Sequence, residues 1–143
     1  MSLNLAPGVN IFSGGNAQGK TSLLEAIYIL AIGKAFRAEN EREVLSWDSQ
    51  SNKIAHTIID ASFVSGDESN RIIIVYNPIY PNQAYSNSNF KSVRKEIKVN
   101  GIRSSASDLV GTINAVLFSA NDMDLVLGSP SYRRRYMDIL LSQ

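Results

Sequence analysis

The segment Gly14–Thr21 reads Gly-Gly-Asn-Ala-Gln-Gly-Lys-Thr. It constrains the fold more than any other stretch, because its chemistry dictates what must flank it. Before it, Val9–Ser13 (VNIFS) is a short β-branched and aromatic run ending at glycine, the pattern of a buried strand entering a turn. After it, Leu23, Ile27 and Leu30 recur at i, i+4 and i+7, and Leu24, Tyr28 and Ala31 repeat that spacing. This predicts a helix from Lys20 to about Ile32, with Gly33 as its stop. A glycine loop between a strand and a helix lets successive backbone N–H groups converge on one anion, and the helix adds its unpaired N-terminal donors and positive dipole end. Gly14, Gly15 and Gly19 supply the freedom, and Asn16, Ala17 and Gln18 complete the cradle. Lys20 reaches the β- and γ-phosphates, and Thr21 places a hydroxyl on Mg²⁺. A chance match to this spacing arises in roughly one chain of this size in two hundred. The loop therefore points to a nucleotide triphosphate site, with ATP and Mg²⁺ as its ligands. The guanine-selective Asn-Lys-x-Asp element is absent, and Asp108–Gly111, which matches Asp-x-x-Gly formally, reads better as the cap of a short helical segment.

Bulk properties narrow the class without naming a function. With 143 residues and 44% hydrophobic content the chain fits one domain. It has no apolar run near the roughly 18 residues that span a bilayer, and no secretory leader, so a soluble cytoplasmic protein with no membrane partner is expected. The absence of cysteine excludes disulfides and thiolate sites, and a single histidine leaves little for zinc. A net charge of +1 means that nucleic-acid contact must rest on local clusters.

Ile54–Val64 and Arg71–Tyr76 read as an antiparallel pair joined by Ser65–Asn70. Residues 77–93, with Pro78, Pro81 and an Asn/Ser-rich stretch, read as a mobile loop. Arg94–Val99 alternates, with Lys95, Ile97 and Val99 on one side, and leads into the hairpin signal Asn100-Gly101. Ala115–Phe118 reads as a second buried strand, followed by a short helix from Ser119 to near Gly128. Ser129-Pro130 then opens a helix striped by Tyr132, Tyr136, Ile139 and Leu140.

No catalytic residue is assigned. Asp60, after Ile58-Ile59, is the nearest candidate for a second magnesium carboxylate, but a polar residue on a half-exposed strand explains it better. Glu25, one turn beyond Thr21, would serve magnesium only if it pointed inward, and His56 reads as structural. Arg133, Arg134 and Arg135 are candidates for DNA phosphate or dimer contact, against the alternative of a solvated helix face; three consecutive positions span about 200°, so at most two share one role. Arg94, Lys95 and Lys98, with Lys91 and Arg103, form the densest basic stretch, suited to a duplex backbone or simply to guarding an edge strand. Lys34 and Arg37 follow the loop's helix and fit a nucleotide or DNA border no better than a solvated end.

Leu23–Arg37 (LLEAIYILAIGKAFR) and Asn121–Asp138 (NDMDLVLGSPSYRRRYMD) resemble the RecF family of DNA recombination and gap-repair ATPases, with Asn100-Gly101 and Ala115–Ser119 in the right order between them. The resemblance implies an α/β fold: the N-terminal lobe of a P-loop NTPase, specifically an ABC-type ATPase head, with an antiparallel β layer, residues 1–143 being part of a longer head. It also implies an ATP-dependent homodimer that holds duplex DNA near single-strand gaps and junctions. With other recombination mediators, that dimer loads recombinase in replication, repair and the SOS response. The family's Phe-Arg-Asn strand, signature loop and magnesium strand are absent, so a fragment that hydrolyses little by itself is expected, with residues 1–3 foreign to it. Ala38 departs from the small hydroxyl residue common after Phe-Arg. A small P-loop phosphotransferase and a nucleotide-occupied interaction module without catalysis are the alternatives.

Overall fold

The computed structural model of the chain describes residues 2–38, 40–45, 56–80, 92–118 and 128–141. Helix α1 spans Lys20–Ile32, as its spacing predicts, and buries its last turn: Ile29, Leu30, Ala31 and Ile32. It stops at Gly33, whose φ of 73° is left-handed and whose N–H donates to the Ile29 carbonyl at 2.8 Å. A side chain at Gly33 would also stand 3.2 Å from Ala106 Cβ, so backbone twist and close packing both require glycine there.

Four strands follow: β1 (Thr57–Ser65), β2 (Glu68–Ile79), β3 (Ser92–Val99) and β4 (Ile102–Ser104). They form one antiparallel sheet in sequence order. The β1–β2 turn is tighter than the sequence suggests, since Ser65 already faces Glu68. At the β3–β4 turn Asn100 and Gly101 have φ of 51° and 82°, the left-handed pair that matches strand twist. Asn100 also ties this hairpin to β2, donating its N–H to the Arg71 carbonyl and accepting the Arg71 N–H on Oδ1, each at 2.8 Å.

Alternation along the strands sorts the side chains into two faces. The inner face carries Ile59, Ala61 and Phe63 of β1, Ile72, Ile74 and Tyr76 of β2, and Val93, Ile97 and Val99 of β3, packed with Ile29 and Leu30 of α1 and with Leu45 and Leu109. The outer face includes Ile58, Asp60, Ser62, Val64, Arg71, Arg94 and Lys98, all exposed. A short 3₁₀ turn, Glu41–Val44, and helix α2, Ala106–Leu109, close the inner side. Ser105 caps α2 through a reciprocal box: Asp108 N–H donates to Ser105 Oγ at 3.2 Å and Ser105 N–H to Asp108 Oδ2 at 2.9 Å. The Ser105 hydroxyl and N–H hold the Asp108 carboxyl below its usual range. Helix α3, Pro130–Leu141, begins at the proline that marks it in the sequence. The architecture is α/β, with a four-stranded antiparallel sheet. No helix among the described residues is long and apolar enough to cross a membrane.

Three expectations change. Val9–Ser13 and Ala115–Phe118 are not strands, and they are not buried: Val9, Ile11, Val116 and Phe118 are 87%, 84%, 74% and 84% exposed. An apolar run becomes a buried strand only where a second strand pairs with it, and among the described residues no strand pairs with either run. The loop expected at 77–93 is shorter, because Asn77–Ile79 continue β2 and Ser92 and Val93 begin β3. Pro78 faces Val93 beyond the Thr57–Tyr76 pair where β1 begins, so among the described residues β2 has no second neighbour there to miss its N–H. Residues 81–91 of that loop, the helix expected from Ser119, and Ile54 and Ala55 of the first strand lie outside the described residues.

Candidate nucleotide phosphate site

The loop enters α1 through Gly19, which has φ of 82° and leaves the helix with no side-chain cap. The first turn closes with Leu23 N–H on the Gly19 carbonyl at 3.0 Å. The N–H groups of Lys20, Thr21 and Ser22 therefore precede the first α-helical donor, Leu23 N–H, and face the space before the helix. Lys20 folds back over the loop, its Nζ donating to the carbonyls of Gly14 at 2.8 Å and Gly15 at 2.5 Å. The ammonium thus sits inside the curl of the backbone, next to the uncapped helix end. A Cβ at Gly14 or Gly19 would meet nothing within 4 Å, and one at Gly15 only Gln18 Cγ at 4.0 Å, so the loop is open. Helix N–H donors without intrahelical acceptors, a dipole end and one lysine are groups of the kind that suit a compact anion such as phosphate.

Thr21 is exposed at the first turn. A hydroxyl beside a phosphate cradle fits Mg²⁺, a hard cation that binds few protein oxygens and fills its shell with phosphate oxygen and water. Among the described residues no group of three His, Asp or Glu side chains offers an alternative.

Ala17 is the one strained residue of the loop, a Cβ-bearing residue at φ of 60°. Ala17→Gly is expected to raise the unfolding free energy by about 0.5 kcal/mol, the relief of left-handed strain less the entropy glycine adds to the unfolded chain. Denaturant unfolding checks this; a loss of stability would show that the methyl group makes a favourable contact.

The other candidates find partners elsewhere. Glu25 Oε1 accepts the Arg37 N–H at 3.0 Å, so its carboxylate secures the reversal after α1. The same reversal is closed by Tyr28 and Phe36, edge to face with centroids 6.1 Å apart. Asp60 receives a fork from Arg71, Nε on Oδ1 at 3.0 Å and Nη2 on Oδ2 at 2.6 Å. That hydrogen-bonded guanidinium holds the Asp60 carboxyl below its usual range and raises Arg71. His56 is exposed just before β1, and Lys34 and Arg37 are exposed beyond α1.

Strand alternation divides the basic stretch. Arg94 and Lys98 stand on the outer face, and Arg103 faces Lys98 across the hairpin. Lys95 turns inward: its Nζ donates to the Gly33 carbonyl at 2.9 Å and pairs with Glu41 at 2.5 Å, leaving the side chain 16% exposed. It caps the negative end of α1, a role the sequence does not reveal although alternation places Lys95 on the side of Ile97 and Val99. Nearby Tyr76 is buried, and its phenol is pushed well above the usual range by that burial and by the Glu41 and Glu25 charges, so it stays neutral. On α3, Arg133 and Arg134 are exposed, and Arg133 Nη1 donates to the Gly128 carbonyl at 2.8 Å.

The chain is 36% identical over its full length to the DNA replication and repair protein RecF of Clostridium novyi (strain NT), covering 35% of that protein. It is 34% identical over 99% of its length to RecF of Clostridium botulinum (strain Okra / Type B1), covering 34%, and 36% identical over 100% to RecF of Limosilactobacillus reuteri (strain DSM 20016), covering 33%. The chain thus spans about a third of the length of the curated relatives it matches. No family model matches it. No solved structure matches it.

Proposed function

We propose that this chain, which belongs to the RecF family, is the nucleotide-binding part of a DNA replication and repair protein. The observation that carries the proposal is the open glycine loop wrapped around Lys20 Nζ at the uncapped start of α1. In this reading the backbone N–H groups of Gly14–Thr21 hold the triphosphate of ATP, and Lys20 leaves the Gly14 and Gly15 carbonyls for the β- and γ-phosphates. Thr21 offers its hydroxyl to Mg²⁺, which supplies charge neutralisation on the phosphates when bound. The fold would be the N-terminal lobe of an ABC-type P-loop ATPase head. The whole protein would dimerise with ATP, hold duplex DNA near gaps and junctions, and promote recombinase loading with mediator proteins. None of these groups is assigned to hydrolysis.

Thr21→Val tests the metal assignment. It is expected to leave binding of metal-free ATP within about twofold and to weaken MgATP binding by about tenfold, since one oxygen ligand is removed. Calorimetric titration with and without a chelator reads both values; the same magnesium dependence in both proteins would remove Thr21 from the metal.

Arg133, Arg134 and Arg135 are the proposed DNA or dimer contacts on α3, and Arg94 and Lys98 those on the sheet. Replacing the three arginines by glutamine is expected to weaken duplex binding and to reduce the slope of log affinity against log salt by about 0.9 for each phosphate that is no longer neutralised. An unchanged affinity and slope would take the cluster off the DNA surface. The same measurement on Arg94→Gln with Lys98→Gln tests the outer sheet face separately.

A further inference from the structure

The turn between β3 and β4 places an asparagine before a glycine, and Asn100-Gly101 is the chain's one pair of that kind. The main-chain nitrogen after an asparagine is within reach of the side-chain carbonyl carbon, and glycine leaves that nitrogen without a Cβ to shield it. Nothing lies within 4 Å of the place a Cβ at Gly101 would take, and both residues are exposed. The covalent chemistry of this pair is therefore decided by how the Asn100 side chain is held.

Two hydrogen bonds hold its carboxamide toward β2. Asn100 Oδ1 accepts the Arg71 N–H at 2.8 Å, and Nδ2 donates to Asn70 Oδ1 at 2.9 Å. The Asn100 N–H donates to the Arg71 carbonyl at 2.8 Å, one residue past the Ile72↔Val99 pair. The carboxamide oxygen thus takes the place of the main-chain carbonyl in this last rung, with Asn100 left-handed at φ of 51°. Swinging Cγ onto the Gly101 nitrogen breaks both side-chain bonds.

We propose that Asn100 is a deamidation site masked by the folded hairpin, so that it is converted only in molecules whose β3–β4 turn has opened. In the open turn the Gly101 nitrogen gives its proton to water or hydroxide and bonds to Asn100 Cγ. The Cγ–Nδ2 bond breaks, and the nitrogen leaves as ammonia after taking up a proton. Water then opens the cyclic imide at either carbonyl, giving aspartate or isoaspartate, with no change of oxidation state. Isoaspartate carries the main chain through the former side chain and lengthens it by a methylene, so the rung with Arg71 and the tight turn do not re-form. Conversion makes an otherwise reversible opening permanent.

Trypsin cuts after Lys98 and Arg103, so the peptide Val99–Arg103 isolates the site, and mass spectrometry follows its conversion in the protein incubated at mildly alkaline pH. Conversion in native buffer is expected to be about thirtyfold slower than in guanidinium chloride, the factor set by two hydrogen bonds of ordinary net strength. Asn70→Ala removes the acceptor of Nδ2 and is expected to raise the native rate about fivefold while leaving the rate in denaturant unchanged. Asn70→Asp keeps an acceptor there and is expected to stay near the native rate of the unaltered protein. Gly101→Ala, measured in denaturant where the fold plays no part, is expected to suppress conversion by crowding the attacking nitrogen. Equal rates in buffer and denaturant, or an Asn70→Ala rate equal to that of the unaltered protein, would overturn the masking. A peptide that stays unconverted in denaturant would overturn the site itself.

Discussion

Ile74→Ala is expected to lower the unfolding free energy by about 3 kcal/mol, the usual cost of emptying a fully buried aliphatic site. Ile74 has no exposed surface. It lies mid-strand on β2, opposite Ile59 of β1 and Ile97 of β3. Its inner-face position places it in the cluster that includes Ile29 and Leu30 of α1. Deleting the side chain leaves a cavity bounded by three strands and a helix, where collapse is limited because each neighbour is held by its own ladder or cap. Urea unfolding followed by circular dichroism reads the change as a lower midpoint at constant slope. A change below about 1 kcal/mol would mean that the helix does not seal the sheet.

Lys20→Ala is expected to weaken ATP binding by about a hundredfold, which corresponds to ~2.7 kcal/mol. The substitution removes the one ammonium held within the loop, and with it the donor to the Gly14 and Gly15 carbonyls. The missing charge on the phosphates and a loop no longer wound around a side chain act in the same direction. The fold itself should be nearly unaffected, because loop residues 14–19 are exposed and take no part in the core. A melting temperature within a few degrees of the unaltered chain is therefore the companion result.

Features that depend on near neighbours are legible in the sequence. The helix Lys20–Ile32, its glycine stop, the Asn100-Gly101 turn and the proline that opens α3 each follow from residues within a few positions of one another. The box at Ser105 and Asp108 is half legible: Asp108 reads as a helix cap, but its reciprocal serine does not stand out in a serine-rich turn. Features that depend on distant partners are not legible. Lys95 lies 62 residues from the Gly33 carbonyl it caps; alternation sets it on the other side from Arg94 and Lys98, but nothing local names its partner. Val9–Ser13 and Ala115–Phe118 have strand composition, but a strand is a property of a pair, and composition does not say whether a neighbour is present.

The candidate site shows the same division. The loop's residues are contiguous, so its glycines, Lys20 and Thr21 can be read directly. Glu25 shares the first turns of α1 with them, yet its carboxylate serves Arg37, twelve residues on. The resemblance to RecF rests on blocks such as GKAFR and GSPSYRRRYMD, and the identity to RecF proteins extends along the whole chain.

The most direct test of the central claim is calorimetric titration of the chain with ATP, ADP, AMP and adenosine in the presence of Mg²⁺, repeated with Lys20→Ala. A site built by Gly14–Thr21 recognises phosphates and ignores the base, so affinity should fall from ATP to ADP and drop steeply at AMP, and Lys20→Ala should flatten the series. Equal affinities for ATP and adenosine, or an ATP affinity unchanged by Lys20→Ala, would contradict the assignment of this loop as the phosphate site.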